Sequence, residues 1–339
     1  MSIERQENAY GKDISTFRMG GKVRERVVLA TKDDVVHFFD TIGNRPWLIV
    51  GGGSNIVFPS TDSDITIVQL AQGEIEIASE DADSTYICIP AGADWDGVVE
   101  FAVSRGLSGI EALSAIPGTA GATPVQNVGA YGTEISDVLT ELEAYDTQNK
   151  TFVTLKNDQC QFSYRDSIFK HSAKGKYLIY SITLKLSKDS PNVPMYPGVD
   201  TYFAERGITR ASLRDIRNAI TYIRANKLPD PKHIASVGSF FKNPFIDKDH
   251  AEKLRVQFPD IKLFPSDAGL VKIPAGWLIE RAGFKGKNFG TISVYSSNAL
   301  VLVNNGGATQ DDLLNVVEII STEVEKLFGI TLEIEPEIL

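Results

Sequence analysis

Two glycine-rich tracts hold the residues best suited to chemistry. The sequence IPGTAGATPVQNVGAYG, residues 116–132, places Gly118, Gly121, Gly129 and Gly132 in a stretch with little helical or strand periodicity. Glycine tolerates φ > 0 and has no Cβ, so such a backbone can approach another surface closely. Its exposed N–H groups suit a flat, negatively charged cofactor. A tight structural loop inside a β-rich domain is the other reading of the same residues. GGGSN, residues 51–55, follows the strand-like WLIV and precedes the apolar IVF. It is either a turn whose N–H groups cradle a pyrophosphate or a plain hairpin turn. No Gly-Lys-Ser/Thr follows it and the third Rossmann glycine is missing, so neither nucleotide fingerprint applies.

Two further segments carry reactive side chains. FSYRDSIFK, residues 162–170, sets Arg165 and Asp166 among aromatic and apolar neighbours. That arginine is either half of a structural ion pair or a guanidinium that holds a carboxylate bidentately. KLPDPKHIASVGSFFKNP, residues 227–244, gathers Lys227, Lys232, Ser239, Lys242 and Asn243. No G-x-S-x-G surrounds Ser239 and His233 is the one close histidine, which argues against a serine hydrolase. None of the four histidines stands at ligand spacing from a cysteine or carboxylate, so no metal site is expected.

The elements that must hold these residues are legible in outline. DDVVHFFDTIG is a short amphipathic helix, and PWLIVGGGSNIVFP reads as strand, turn, strand. DWDGVVEFAVSRG is a helix with Asp94 as N-cap and Gly106 past its end. Residues 138–187 alternate apolar and polar positions, as in an antiparallel sheet, and YICIP places Cys88 in a buried strand. SKDSPNVPMYPGVD, with three prolines, separates two units. Beyond it, SLRDIRNAITYIRAN opens on a Ser212–Asp215 capping box and lines Leu213, Ile216, Ala219, Ile220 and Ile223 along one face. A last helix runs from Thr309 as N-cap to Gly329 at C′, and TLEIEPEIL alternates as an edge or terminal strand interrupted by Pro336.

A chain of 339 residues implies two or three domains. The opening MSIERQENAY lacks the apolar region of a signal peptide, and no apolar run reaches bilayer length. With only Cys88 and Cys160, a cytoplasmic protein without disulfides is expected. A net charge of −10 argues against a nucleic-acid partner. Locally the balance reverses: Arg206, Arg210, Arg214, Arg217, Arg224, Lys227, Lys232 and Lys242 face only Asp215 and Asp230 over residues 206–242. This is either a solvated helix face or the seat of a small anionic ligand such as a nucleotide.

Taken in order, GGGSN, IPGTAGATPVQNVGAYG, YRDSIFK, KLPDPK with GSFFKNP, AGWLIE and the terminal TLEIEPE make a sequence that resembles the UDP-N-acetylenolpyruvoylglucosamine reductases. These are flavoenzymes of peptidoglycan precursor synthesis. The resemblance runs from about residue 15 to the C-terminus and implies an α+β fold. An FAD-binding unit of the vanillyl-alcohol oxidase type, made of two α+β subdomains, is joined to a C-terminal α+β substrate-binding domain. The implied division is 1–75 with the strand 330–339, then 76–205, then 206–329.

The resemblance implies non-covalent FAD, since no histidine lies in either tract, and NADPH as co-substrate. FAD would lie along Gly51, Gly52, Gly53, Ser54 and Asn55, and along Pro117, Gly118, Thr119, Gly121, Ala122, Gln126, Asn127, Gly129, Ala130, Tyr131 and Gly132. Arg165 matches the catalytic arginine, Ser239 the proton-donating serine and Glu337 the C-terminal glutamate. Tyr196, Lys227, Asn243 and Asn298 match contacts to the substrate, UDP-N-acetyl-3-O-(1-carboxyvinyl)-glucosamine. Its diphosphate would meet the basic segment. SPNVPMYPGV resembles the longer of the family's two forms, in which a tyrosine folds over the substrate. Two departures stand out: Asn298 replaces an expected glutamine, and the chain ends two residues after Glu337, where a longer terminus is implied. A monomer without membrane or nucleic-acid partners is expected. Two rival functions remain at this stage: a flavin oxidase of an alcohol or amine on the same fold, and a flavin-binding protein without chemistry.

Overall fold

A computed structural model of the protein describes residues 3–191, 193–266 and 269–339. The chain forms two compact units, one of residues 1–9, 23–52 and 64–225, the other of 10–22, 53–63 and 226–339.

The first unit contains two sheets. In the smaller, strands Glu4–Glu7, Glu25–Leu29, Thr66–Leu70 and Trp47–Ile49 lie in that order; all its pairings are parallel except that of the outermost Glu4–Glu7. The helix Lys32–Thr41 begins on a Thr31–Asp34 capping box and buries Val35, Phe38 and Phe39 beside Val27, Leu29 and Val68. The larger sheet is wholly antiparallel, in the order Thr151–Lys156, Leu139–Asp146, Tyr177–Ser187, Ser84–Pro90, Glu76–Glu80. Its alternation buries Leu142, Ala144, Ile182 and Leu184, as the period-2 pattern requires. The same alternation corrects one expectation: Ile87 and Ile89 are buried, while Cys88 points to the other face and is only half-buried.

Helix Trp95–Ser104 is capped by Asp94, whose carboxylate accepts the Gly97 N–H at 2.9 Å; Gly106, at φ 71°, follows its end. The proline-rich stretch is not simply a separator. Pro197 opens a helix, Pro197–Glu205, at the position where its missing N–H and fixed φ cost nothing. Asn192 of that stretch lies outside the described residues. Helix Leu213–Lys227 buries Leu213, Ile216, Ala219, Ile220 and Ile223, the stripe expected from the sequence.

The second unit is built around helices Lys248–Gln257, Ala275–Arg281 and Gln310–Phe328, with short two- and three-residue strands. The last helix is capped by Thr309 and closed by Gly329 in the left-handed region, as its sequence signals. TLEIEPEIL is less regular than its alternation suggests. It makes one antiparallel bridge, Ile334 to Phe241, and then a two-residue parallel strand, Glu337–Ile338, against Ile56–Val57. Proline at 336 lacks a ladder N–H and divides the two pairings. No described helix is long and apolar enough to cross a membrane.

Candidate active site

The two glycine-rich tracts meet. A Cβ on Gly51 would stand 2.4 Å from the Thr119 hydroxyl, and one on Gly52 would stand 3.0 Å from the Gly118 Cα. Only glycine at 51 and 52 lets these backbones lie side by side. GGGSN is therefore no hairpin turn: the strand before it, Trp47–Ile49, belongs to the four-stranded sheet, and Ile56–Val57 after it pairs with the C-terminal strand. Behind the longer tract, Gly121 donates to the Ala91 carbonyl at 2.9 Å, Ala120 to Ala93 at 2.9 Å, and Trp95 to Gly118 at 3.0 Å. A Cβ on Gly121 would fall 2.3 Å from the Ala91 Cβ. The tract is thus a fixed strip of backbone.

Its far end is a hairpin. Gly129–Ala130 pairs with Thr133–Glu134, and Tyr131 and Gly132 turn the corner at φ 54° and 84°. Two successive positive φ values are the signature of the turn whose twist matches two-residue hairpins. The side chain of Asn127 is committed within the protein. Its amide donates to Glu134 at 2.7 Å and to the Ser163 carbonyl at 3.0 Å, and its oxygen accepts the Ser136 N–H at 3.1 Å. Its backbone N–H is also used, donating to the Pro124 carbonyl at 3.4 Å.

Arg165 stands on a second tight turn. Ser163 and Asp166 exchange both backbone hydrogen bonds at 3.1 Å, which leaves Arg165 at φ 55°. An arginine in the left-handed region is uncommon, and such strain persists where surroundings hold it. Here the guanidinium donates to the Gly129 carbonyl, and a Cβ at Gly129 would come within 3.1 Å of its Nη1. Asp166 bonds His171 at 2.8 Å rather than Arg165. The candidate arginine is therefore seated directly on the glycine tract. Tyr196 precedes helix Pro197–Glu205, and its ring meets that of Tyr131 edge-on at 5.0 Å.

The second unit holds Ser239 and Glu337. Ser239 bridges to Val301, Phe240 donates to the Leu300 carbonyl at 2.7 Å, and Glu335 donates to the Phe240 carbonyl at 3.0 Å. The segment following Gly238 thus runs between the Asn298–Val301 turn and the C-terminal segment. Glu337 donates its N–H to the Asn55 carbonyl at 3.0 Å, which ties this glutamate to the end of GGGSN. Asn243 accepts the Ala275 N–H at 2.9 Å at the start of helix Ala275–Arg281, and Asn298 accepts the Leu300 N–H at 3.0 Å. Lys227 ends its helix. Among the described residues no cluster could hold a metal ion.

The basic segment is largely spent internally. Arg214 and Arg217 pair with Glu100 at 2.6 and 2.7 Å, Arg217 holds both oxygens of Asp96, and Lys242 pairs with Glu333. Arg206 lies over the Tyr202 ring, 3.8 Å from its centroid. Its excess of charge therefore does not by itself mark a ligand. In the sequence Arg217 and Arg224 stand out only as members of the basic run, and nothing marks Asp96 or Ala115. The seven-residue spacing of Arg217 and Arg224 on one helix face was the signal available for that pair.

A glycine strip bearing a guanidinium suits a flavin dinucleotide, and comparison with known proteins agrees. Residues 25–155 match the FAD binding domain family. Residues 230–339 match the C-terminal domain of UDP-N-acetylenolpyruvoylglucosamine reductase. The chain is 40% identical to the UDP-N-acetylenolpyruvoylglucosamine reductase of Pseudomonas aeruginosa, over 100% of each. It is 37% identical to that of Flavobacterium johnsoniae, over 99% of this chain and 100% of the relative. The fold is similar to that of the reductase from Thermus caldophilus, with a TM-score of 0.69 at 22% identity, over 100% of this chain and 99% of the other. With relatives this similar along their whole length, the chain belongs to the UDP-N-acetylenolpyruvoylglucosamine reductase family.

Proposed function

We propose that the chain reduces the enolpyruvyl ether of UDP-N-acetylglucosamine to UDP-N-acetylmuramate at the expense of NADPH, with Arg165, Ser239 and Glu337 as its catalytic residues. FAD, when bound, supplies the hydride chemistry between NADPH and the β-carbon of the ether. The strip formed by Gly51–Gly52 and Gly118–Thr119 supports its seat, and no histidine lies in either tract, so it is held without a covalent bond.

The remaining work falls to side chains. A hydride added at the β-carbon drives negative charge onto the substrate carboxylate. Arg165, pinned by Gly129 beside the strip, is already oriented to stabilise that charge; a preorganised donor of this kind contributes ~2.7–4 kcal/mol. Glu337 is a second group at the carboxylate, either protonated or positioning Arg165. The α-carbon of the resulting enolate is a strong base, so the Ser239 hydroxyl can give it a proton despite being a feeble acid. Tyr196, Lys227, Asn243 and Asn298 contact the sugar nucleotide. Asn243 and Asn298 have each given their side-chain oxygen to a backbone N–H, which makes their amide N–H groups the donors they would offer the ligand.

We take the functional division to be 1–75 with 330–339, 76–205 and 206–329, and the protein to be a cytoplasmic monomer. The observation that carries the whole reading is Arg165 seated on the glycine tract. An anaerobic experiment tests it. NADPH should bleach the flavin band of the purified yellow protein, and the enolpyruvyl sugar nucleotide should restore it. Acid precipitation should leave the colour in the supernatant. A flavin that NADPH does not bleach, or one that a small alcohol or amine bleaches and only oxygen reoxidises, refutes the assignment.

A further inference from the structure

Ala115 immediately precedes the glycine strip, and its backbone is in the left-handed region at φ 57°. A residue with a Cβ pays for that conformation, which glycine adopts freely. Its two polar backbone groups are both taken. The N–H donates to Asp96 at 2.6 Å, and the carbonyl accepts from Arg224 Nε at 3.1 Å. Arg224 also interacts electrostatically with the Tyr131 hydroxyl at the other end of the tract, where φ is again positive. One guanidinium therefore bonds one end of the loop that runs from Ala115 to Tyr131 and attracts the hydroxyl at the other.

The helix that carries Arg224 is itself anchored. Arg217, two turns earlier, grips both oxygens of Asp96 at 2.7 and 2.9 Å, the carboxylate that receives the Ala115 N–H. Tyr131 packs edge-on against Tyr196, and both rings lie on the apolar cluster formed by Val199, Ile220 and Ile223.

We infer that Arg224 is a positioning residue that staples the cofactor tract closed, and that Asp96 and Arg217 complete the clamp on Ala115. This inference rests on the flavin reading above. Without the staple, Ala115 is released from its strained conformation and the strip behind Gly118–Thr119 loses its fixed course. The clamp acts before any substrate is present, through the shape of the loop.

FAD affinity tests it, by titration of FAD into the flavin-depleted full chain followed by fluorescence quenching. Arg224→Met keeps much of the side-chain length and removes every donor. It should raise the FAD dissociation constant about tenfold, as expected for losing the charge-assisted bond to Ala115 and the attraction for Tyr131. Ala115→Gly in that background should recover most of the loss, because glycine holds the left-handed conformation unaided. Should Arg224→Met fail to accumulate in folded form, Arg224→Lys serves the same purpose, since one ammonium cannot reproduce the fork between two partners. Unchanged FAD affinity in the Arg224 variant overturns the staple, as does a loss that Ala115→Gly leaves in place. A wild-type chain that binds no FAD would instead refute the flavin reading.

Discussion

Gly121→Ala puts the central packing contact of the cofactor tract under direct test. Gly121 does not need a positive φ, so alanine suits its backbone and would ordinarily stabilise by ~0.4–1 kcal/mol through the unfolded chain. The space argues the other way. The new Cβ would stand 2.3 Å from the Ala91 Cβ and 3.0 Å from its Cα, where carbon atoms prefer about 3.5–4.0 Å. The obstacle is a neighbouring backbone, not the end of a flexible side chain, so the two segments must part. Overpacking of this kind costs ~1–3 kcal/mol. Parting them also breaks the 2.9 Å bond from the Gly121 N–H to the Ala91 carbonyl, a further ~0.5–1.5 kcal/mol. Set against the gain in the unfolded state, a net loss of about 0.5–4 kcal/mol is expected. Because the strain moves the strip itself, FAD should bind at least about tenfold more weakly, the equivalent of ~1.4 kcal/mol. Urea unfolding of the flavin-free protein and fluorescence titration with FAD measure the two effects. Gly106→Ala is the control: it sits at φ 71° past a helix end with nothing within 4 Å, so it should cost stability and leave FAD affinity alone. If Gly121→Ala matched wild type in both measurements, the close approach of Gly121 to Ala91 would not be what fixes the tract.

Four other outcomes are expected. Ser239→Ala should leave flavin reduction by NADPH near wild type and slow reoxidation by substrate at least ~10²-fold, the low end for a positioned acid; equal slowing of both half-reactions in stopped-flow absorbance would make the serine structural. Arg165→Ala and Glu337→Gln should fall on that second half-reaction too. Lys227→Ala should weaken handling of the sugar nucleotide or NADPH with flavin content unchanged, and a preparation that loses its flavin would place the residue with the cofactor instead. The clamp should also show a pH signature: burial opposes the charge on Asp96, yet the bonds from Arg217 and the Ala115 N–H hold its carboxyl below the ordinary range. A carboxyl depressed in the folded state contributes stability that is complete above the unfolded value of about 3.9 and fades as pH falls through the lower folded value. Asp96→Asn should therefore lower the melting temperature at pH 6 and converge with wild type in strong acid; a gap that stays constant with pH would show that the charge plays no part.

Much of this molecule could be read locally. Asp94, Ser212 and Thr309 all cap the helices they were expected to cap, because a cap depends on three or four consecutive residues. The stripe Leu213, Ile216, Ala219, Ile220, Ile223 is buried as its spacing demands, and the antiparallel sheet follows its alternation. The ordered motifs were enough to place the chain in its family, since they concern identity and order along the chain.

What the sequence left open were pairings between distant residues. GGGSN reads equally as a hairpin turn or a ligand cradle until Gly118 and Thr119 are seen beside it and its two flanking strands are seen in different sheets. Glu337 lies far along the chain from Asn55, and no local pattern announces that their backbones pair in parallel. The basic run between Arg206 and Lys242 looks like a site for an anion only while the carboxylates of Asp96, Glu100 and Glu333 are out of view. Periodicity reports which face of an element is buried; it carries no information about which other element does the burying. The seat of Arg165 on Gly129 and the bond from Arg224 to Ala115 are therefore decided by tertiary structure, where chain entropy has been spent to bring those residues together.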